Sequence, residues 1–465
     1  MILNSVCIAG KEILPLIEGG KGINVSTGLT SGRWANCGGA GTFSGVNPDF
    51  YDENGHFLKP LFKGKNRKEK QKELIEYGIK GCLDQASIAH EESRGNGLVF
   101  MNILWEQGGS QELLSNVLEK AKGTIKAISC GAGMPFKLAD ICAANKVFFN
   151  PIISSARVLQ LLWKRSYYRF KEWIGAVIYE DPWLAGGHNG LSNSDNPFAP
   201  EKPMARLIEI RKFMNEVGLK TVPIIIAGGI WWLSEWLDYI NNDEIGPVAF
   251  QFGTRPMVTM ESPLKDSVKH KLLNIDKGGV KLQTFSPTGL YSSAVENEFL
   301  KDLEAQLTRQ ISYVENNEEN IEFNIPVELT ANKKTVFINE NDKEKFTQFI
   351  NAGYDYILKT PSNTLIFVSK EKYESIMDDM KNCVGCLSNC MFSGWTQREN
   401  VVIQPDPRSF CIQKSLQNIS HTDDVEGNLL FAGQIVHRFK TDPFYKNGTF
   451  IPTVKELVEQ IKTGY

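Results

Sequence analysis

No apolar run in the 465-residue sequence approaches the roughly 20 residues needed to span a bilayer, so no membrane partner is expected. An excess of charge of one sign is lacking too. The formal net charge is −3, which gives no electrostatic footprint for nucleic acid. The opening "MILNSVCIAGKEILPLIEGG" has neither a basic n-region nor a long apolar h-region, so no signal peptide is expected. Nine cysteines is an odd number, and five of them (Cys7, Cys37, Cys82, Cys130 and Cys142) are scattered. That argues against a disulfide framework and for a reducing, cytoplasmic setting. Histidine is scarce, at six residues, and no dinucleotide fingerprint opens a first βαβ unit. Internal repeats and low-complexity tracts are absent.

The composition that remains, 42% hydrophobic and 23% charged, is that of an ordinary globular chain able to bury a large core. Near-continuous apolar runs at 13–18, 39–44, 98–104, 124–130, 147–153, 174–180, 222–227 and 248–252 read as parallel strands buried on both faces. Helical patterns lie between most of them: "ELLSNVLEKAKG", "SSARVLQLLWKRS", "MARLIEIRKFMNEVG" and "WLSEWLDYINN". Ser155 and Ser234 suit N-caps and Gly218 a C-cap. Eight strands alternating with helices favour an α/β fold closed as a (β/α)8 TIM barrel over an open doubly wound sheet. The barrel is expected within residues 1–300. Residues 45–97, with a helix at 80–92, read as an insertion over its mouth. The polar, acidic run 314–324 looks like a linker to a small α/β insert at 315–378. A cysteine-bearing extension, 379–465, is expected to pack on the barrel.

Glycines fall where such a barrel binds ligands, at the C-terminal strand ends. The seventh strand ends in "IIIAGGIWW", with Gly228 and Gly229, and the eighth in "FQFGTRP", with Gly253 and Thr254. Two such loops, each leading into a helix start, suit a phosphate. Either could instead be a tight turn. The first strand ends in "LIEGGKGINVS", where Gly19, Gly20 and Gly22 leave bare backbone for a flat ring and Lys21 stands beside it. Asn102 ends the third strand and offers a donor and an acceptor, as a flavin or nicotinamide edge requires. The implied ligand is a mononucleotide-like cofactor with one phosphate. In "EDPWLAGGHNG", His188 follows Gly186 and Gly187, whose lack of side chains leaves its imidazole uncrowded. It can take a proton or, when protonated, bind an anion.

"PLIEGGKGINVS", "CGGAGTFSG", "NPIISSARVLQLL", "AVIYEDPWLAGGHNG", "VPIIIAGGI" and "FQFGTRPMVTMESP", in this order, resemble the nitronate monooxygenase (2-nitropropane dioxygenase) family. They are similar also to the related FMN-dependent enoyl reductases. "SPTGLYSSAVENEFL" and the cysteine tail resemble a longer-chain subgroup. The resemblance implies a flavoprotein with FMN in a TIM barrel. Its phosphate would be held by Gly228, Gly229, Gly253 and Thr254. The ring would lie beside Gly19, Gly20, Lys21, Gly22 and Asn102, with Ser154 and Ser155 near it. His188 would face the substrate beside Gly186 and Gly187. The implied activity is oxidation of alkyl nitronates with O2. One alternative is NAD(P)H-dependent reduction of an enoyl thioester. Another is a non-catalytic flavoprotein or partner-binding subunit. A small-molecule substrate is expected, and a homo-oligomer is left open.

"CVGCLSNC" sets Cys383, Cys386 and Cys390 at C-x2-C-x3-C, and Cys411 follows. Four thiolates so grouped can ligate an iron–sulfur cluster or zinc. Buried free thiols are the other reading.

Overall fold

The computed structural model describes residues 3–192, 194–317 and 321–465. Eight parallel strands close into a barrel: β1 (Leu16–Glu18), β2 (Ala40–Ser44), β3 (Leu98–Leu104), β4 (Ala127–Gly131), β5 (Phe148–Ile153), β6 (Val177–Glu180), β7 (Ile224–Ala227) and β8 (Val248–Phe252). Each strand pairs with the next in sequence. Closure comes from β8 on β1, where Phe250 pairs with Leu16. All eight strands lie where the apolar runs predict them, and the fold is a (β/α)8 TIM barrel.

Alternation along each strand sorts side chains to two faces. Ile17, Ala40, Leu98, Phe100, Ala127, Ile178, Ile225 and Ala249 fill the barrel interior. A preceding hairpin, Val6–Ile8 with Lys11–Ile13, adds Val6, Ile8 and Ile13 to that core. The outward strand residues, among them Met101, Phe149, Tyr179 and Phe250, join Trp34 of helix Gly28–Asn36 in the larger core under the helices.

The stretch expected as an insertion is differently built. A 27-residue helix, Arg67–Ser93, starts well before the expected position. Asn66 caps it, accepting the Glu69 N–H at 3.0 Å. Leu74, Ile75, Gly78, Cys82, Gln85, Ala86 and Ala89 recur at helical spacing and are buried, while Lys68, Lys72 and Lys80 are exposed and Arg67 donates to the Ser393 and Met380 carbonyls. This helix packs against helix Gly28–Asn36 so closely that a Cβ on Gly28 would sit 2.3 Å from the Gln85 carbonyl oxygen. Only residues 45–66 and the short turn 94–97 remain outside the helix. The helix expected after β7 is also different. It is a 3-10 turn, Leu233–Trp236, and Ser234 is not its cap. The Ser234 N–H instead bonds the Gly464 carbonyl at 2.9 Å, where the last helix, Val454–Thr463, ends.

Beyond the barrel, strands Val280–Gln283 and Ser292–Val295 form a small antiparallel sheet with Gly187–His188. The insert is a five-stranded antiparallel sheet with helices Lys343–Asn351 and Lys370–Lys381. Its central strand, Gln310–Val314, runs to the start of the expected linker, of which 318–320 lie outside the described residues. The tail carries helix Ile412–His421 and returns to the barrel mouth at 429–434. Among the described residues no helix is long and apolar enough to cross a membrane.

Candidate active site

Two residues beyond the interior layer, Thr42, Asn102, Ser129, Glu180 and Gln251 share the inner face at the C-terminal ends of β2, β3, β4, β6 and β8. Thr42 Oγ1 and Ser129 Oγ are buried there with no hydrogen-bond partner. Such atoms cost free energy unless something pairs with them. The backbone of Gly20 crosses this floor, and a Cβ on it would lie 2.2 Å from the Asn102 Cβ. A Cβ on Gly19 would lie 3.0 Å from the Gln251 side chain, and one on Gly22 3.1 Å from Val46. Lys21 turns away from the mouth. Its Nζ binds Glu18 Oε1 at 3.1 Å and the Gly19 carbonyl at 2.6 Å. Burial raises the Glu18 carboxyl above its usual range and lowers Lys21, each opposed by the other's charge.

Gly228 and Gly229 both have left-handed backbone, φ +91° and +74°, which admits no ordinary side chain. A Cβ on Gly229 would meet Leu184 Cδ1 at 2.6 Å, so this turn lies directly beneath the loop leading to His188. Gly253 is exposed with open space around it, and Thr254 opens a four-residue helix. Gly186 packs on Ala432 and Gly187 on Phe431 of the tail. Ser154 Oγ donates to the Gly190 carbonyl at 3.0 Å, tying the end of β5 to the His188 loop. Ser155 takes the N-cap conformation of helix Ala156–Arg165, but its side chain makes no capping bond.

His188 is fixed through its backbone, paired with Ser292, and its ring meets Phe431 edge-on at 5.6 Å. Its Nε2 lies 2.7 Å from Ser286 Oγ and 3.1 Å from Thr288 Oγ1. Burial lowers its pKa to about 4, so the imidazole is neutral near pH 7. The protonated, anion-binding form is therefore disfavoured. Glu180 moves oppositely: burial, then the neighbouring Asp181, raises it to about 8.

Several of these residues carried no sequence signal of their own. Thr42, Ser129, Glu180 and Gln251 stand out only once the strands close. Ser286 and Thr288 lie in the "SPTG" stretch, but nothing local links them to a histidine 98 residues away. "FAGQ", Phe431–Gln434, is one more small-residue turn after an apolar run, which is the signal that finds it. The Gly433 N–H donates to Thr254 Oγ1 at 3.0 Å, and Gln434 Nε2 donates to Ser293 Oγ at 3.1 Å.

The four tail cysteines gather around a shared apolar cluster with Leu387, Phe392, Trp395 and Phe410. Cys383 Sγ contacts Ser393 Oγ at 3.2 Å. Desolvation first, then the neighbouring Cys411, Cys390 and Cys383 thiols, keep Cys386 protonated, and Cys411 is pushed up to about 12. Among the described residues no group of three or more His, Cys, Asp or Glu is arranged to hold a metal ion. The expected iron–sulfur or zinc site therefore has no support in this geometry.

Bare glycine backbone on the floor, partnerless hydroxyls beside it and two glycine loops at the seventh and eighth strand ends fit a flavin mononucleotide. They define a cofactor-binding barrel enzyme. The chain belongs to the nitronate monooxygenase family, whose sequence profile matches residues 87–368, and so to the flavin-dependent oxidoreductases. Among solved structures, FabK from Thermotoga maritima is similar at 14% identity, with 97% of this chain and 92% of that one covered and a TM-score of 0.47. The enoyl reductase domain of MlnA from Bacillus amyloliquefaciens is similar at 13% identity, covering 97% and 95%, with a TM-score of 0.44. Nitroalkane oxidase from Streptomyces ansochromogenes is similar at 15% identity, covering 62% and 78%, with a TM-score of 0.44. No curated protein sequence matches the chain.

Proposed function

We propose that the chain holds FMN at the barrel mouth and oxidises alkyl nitronates with O2. The observation that carries this reading is the left-handed Gly228–Gly229 turn packed beneath the loop of a neutral, desolvated His188 in a chain of this family. Gly228, Gly229, Gly253 and Thr254 would hold the phosphate, and Asn102, Thr42 and Ser129 would meet the polar edge of the ring. Bound there, FMN supplies the electron acceptor and the point of reaction with O2. His188 donates or accepts one hydrogen bond at the substrate's polar end, and its neutral imidazole can take the acidic α-proton of a nitroalkane. Glu180, protonated below about pH 8, adds no negative charge beneath an anionic substrate.

One observation favours a second reading. With His188 neutral and Lys21 tied to Glu18, neither residue offers an unpaired positive charge at the mouth. A neutral carbonyl suits such a site, as in NAD(P)H-dependent reduction of an enoyl thioester. Anaerobic mixing of the flavin-loaded protein with a nitronate and, separately, with NADH and NADPH decides between them. Bleaching of the flavin by the nitronate, slow with either nucleotide, is expected. The reverse order moves the assignment to the reductase.

A further inference from the structure

We propose that Ser286 and Thr288 form a proton relay between the His188 imidazole and solvent. The three groups make a closed triangle. Ser286 Oγ lies 2.7 Å from His188 Nε2, Thr288 Oγ1 lies 2.9 Å from Ser286 Oγ, and Thr288 Oγ1 lies 3.1 Å from Nε2. Ser286 is only 3% exposed, whereas Thr288 is half-buried and followed by exposed Gly289 and Leu290. Both hydroxyls thus touch the histidine, and the Thr288 end lies next to exposed chain.

The loop is held in place. The Met391 N–H donates to the Pro287 carbonyl at 2.8 Å, and Ser409 Oγ donates to the Phe285 carbonyl at 2.7 Å. The N–H groups of Thr288 and Leu290 donate weakly to the two hydroxyl oxygens, at 3.4 and 3.3 Å.

Hydrogen-bond counting permits both directions of the chain. With the proton on Nε2, it donates to Ser286, Ser286 to Thr288, and Thr288 to water. With the proton on Nδ1, Thr288 donates to Ser286 and Ser286 to Nε2. Moving a proton through the triangle converts one arrangement into the other and leaves every hydroxyl paired. The step balances. A proton taken from substrate by Nδ1 is matched by one leaving Nε2 for Ser286, one leaving Ser286 for Thr288 and one leaving Thr288 for water. The reverse sequence delivers a proton to substrate. His188 never becomes a cation, the form that its burial disfavours.

The proposal rests on the reading of His188 as the substrate-facing group, but its first test needs no substrate. Solvent exchange of the His188 imidazole N–H, followed by 15N-edited NMR on the full chain, is expected to be fast despite burial. His188→Gln identifies the signal. Ser286→Ala and Thr288→Val are each expected to slow that exchange about tenfold or more, and Thr288→Ser to restore it. If Ser286→Ala does not fold, the half-exposed Thr288→Val and Thr288→Ser pair carries the test. Exchange unchanged in Thr288→Val overturns the relay. In turnover, the same variants are expected to lower kcat about tenfold with KM little changed, within the range of positioned acid–base groups. Nitronate inactivity with the exchange pattern intact would overturn the proposed function and leave the relay standing.

Discussion

Thr254 Oγ1 accepts the backbone N–H of Gly433 across 3.0 Å, joining the end of the eighth barrel strand to a residue 179 positions later. The C-terminal tail thus completes the rim of the candidate phosphate loop. Gln434 repeats the contact one residue on, its N–H donating to the Leu184 carbonyl at 3.2 Å. Tail, His188 loop and Gly228–Gly229 turn therefore form one packed unit, and binding at one is expected to order the others.

Gly229→Val tests the cradle within that unit. The left-handed φ of +74° and the 2.6 Å approach to Leu184 leave no room for a side chain. The variant is expected to keep the barrel, read by circular dichroism, and to purify with under about a tenth of the wild-type flavin, since both strain and lost backbone donors oppose the phosphate. Full flavin occupancy in the folded variant would remove the phosphate from this turn.

Arg255 anchors the same unit from below. It is 1% exposed, donates from Nη1 to the Trp231 carbonyl at 2.9 Å and from Nε to Tyr445 Oη at 3.1 Å, and lies 3.8 Å from Asp442. Asp442 also accepts the Trp231 indole N–H at 2.8 Å. Arg255→Met is expected to cost about 3–5 kcal/mol, because it leaves Asp442 as a buried charge without its partner. Chemical denaturation measures the loss. Arg255→Met with Asp442→Asn is expected to recover part of it.

The eight strands were legible because burial on both faces writes a continuous apolar run, as in "LVFMNIL" of β3. Helix boundaries were less so. The basic stretch before Leu74 gave no apolar stripe to read, and the Asn66 cap became clear only with the helix drawn. The helix after β7 was misread because the distant Val454–Thr463 helix bonds at that position, a tertiary event no local pattern encodes. The glycine loops and His188 stood out in the sequence through their unusual spacing, and the structure brings the Gly228–Gly229 turn beneath the His188 loop. The Ser286–Thr288 triangle and the Gly433 contact were not, since each joins segments about 100 residues or more apart.

The thiol cluster separates two outcomes at the bench. With burial holding Cys386 protonated and Cys411 pushed up to about 12, both thiols are expected to resist alkylation of the native protein at pH 7.5 and to react on unfolding. Mass spectrometry of protein labelled before and after denaturant reads this directly. Metal analysis of an anaerobic preparation is expected to find neither iron nor zinc near stoichiometry. About four irons or about one zinc per chain would instead restore the ligand reading of Cys383, Cys386, Cys390 and Cys411.

The opposed shifts of Glu180 and His188 give the flavin-free protein a distinctive pH dependence. The Glu180 carboxyl rises from an ordinary 4.5 to about 8 on folding, so between those values the folded chain holds a proton that the unfolded chain lacks. Stability from this group therefore falls as pH rises from 4.5 to 8. The His188 imidazole falls from 6.5 to about 4, so the unfolded chain holds the extra proton between those values and stability rises with pH there. The two slopes oppose each other from 4.5 to 6.5, and above 6.5 only that of Glu180 remains. Glu180→Gln is expected to flatten the decline in Tm between pH 6.5 and 8, raising Tm at pH 8 by about a degree or two. His188→Gln is expected to leave that window unchanged and to soften acid destabilisation below 6.5. Calorimetric scans of both variants from pH 4 to 9 measure it. A decline between pH 6.5 and 8 that survives in Glu180→Gln would assign it to another group and leave Glu180 ionised at the barrel mouth.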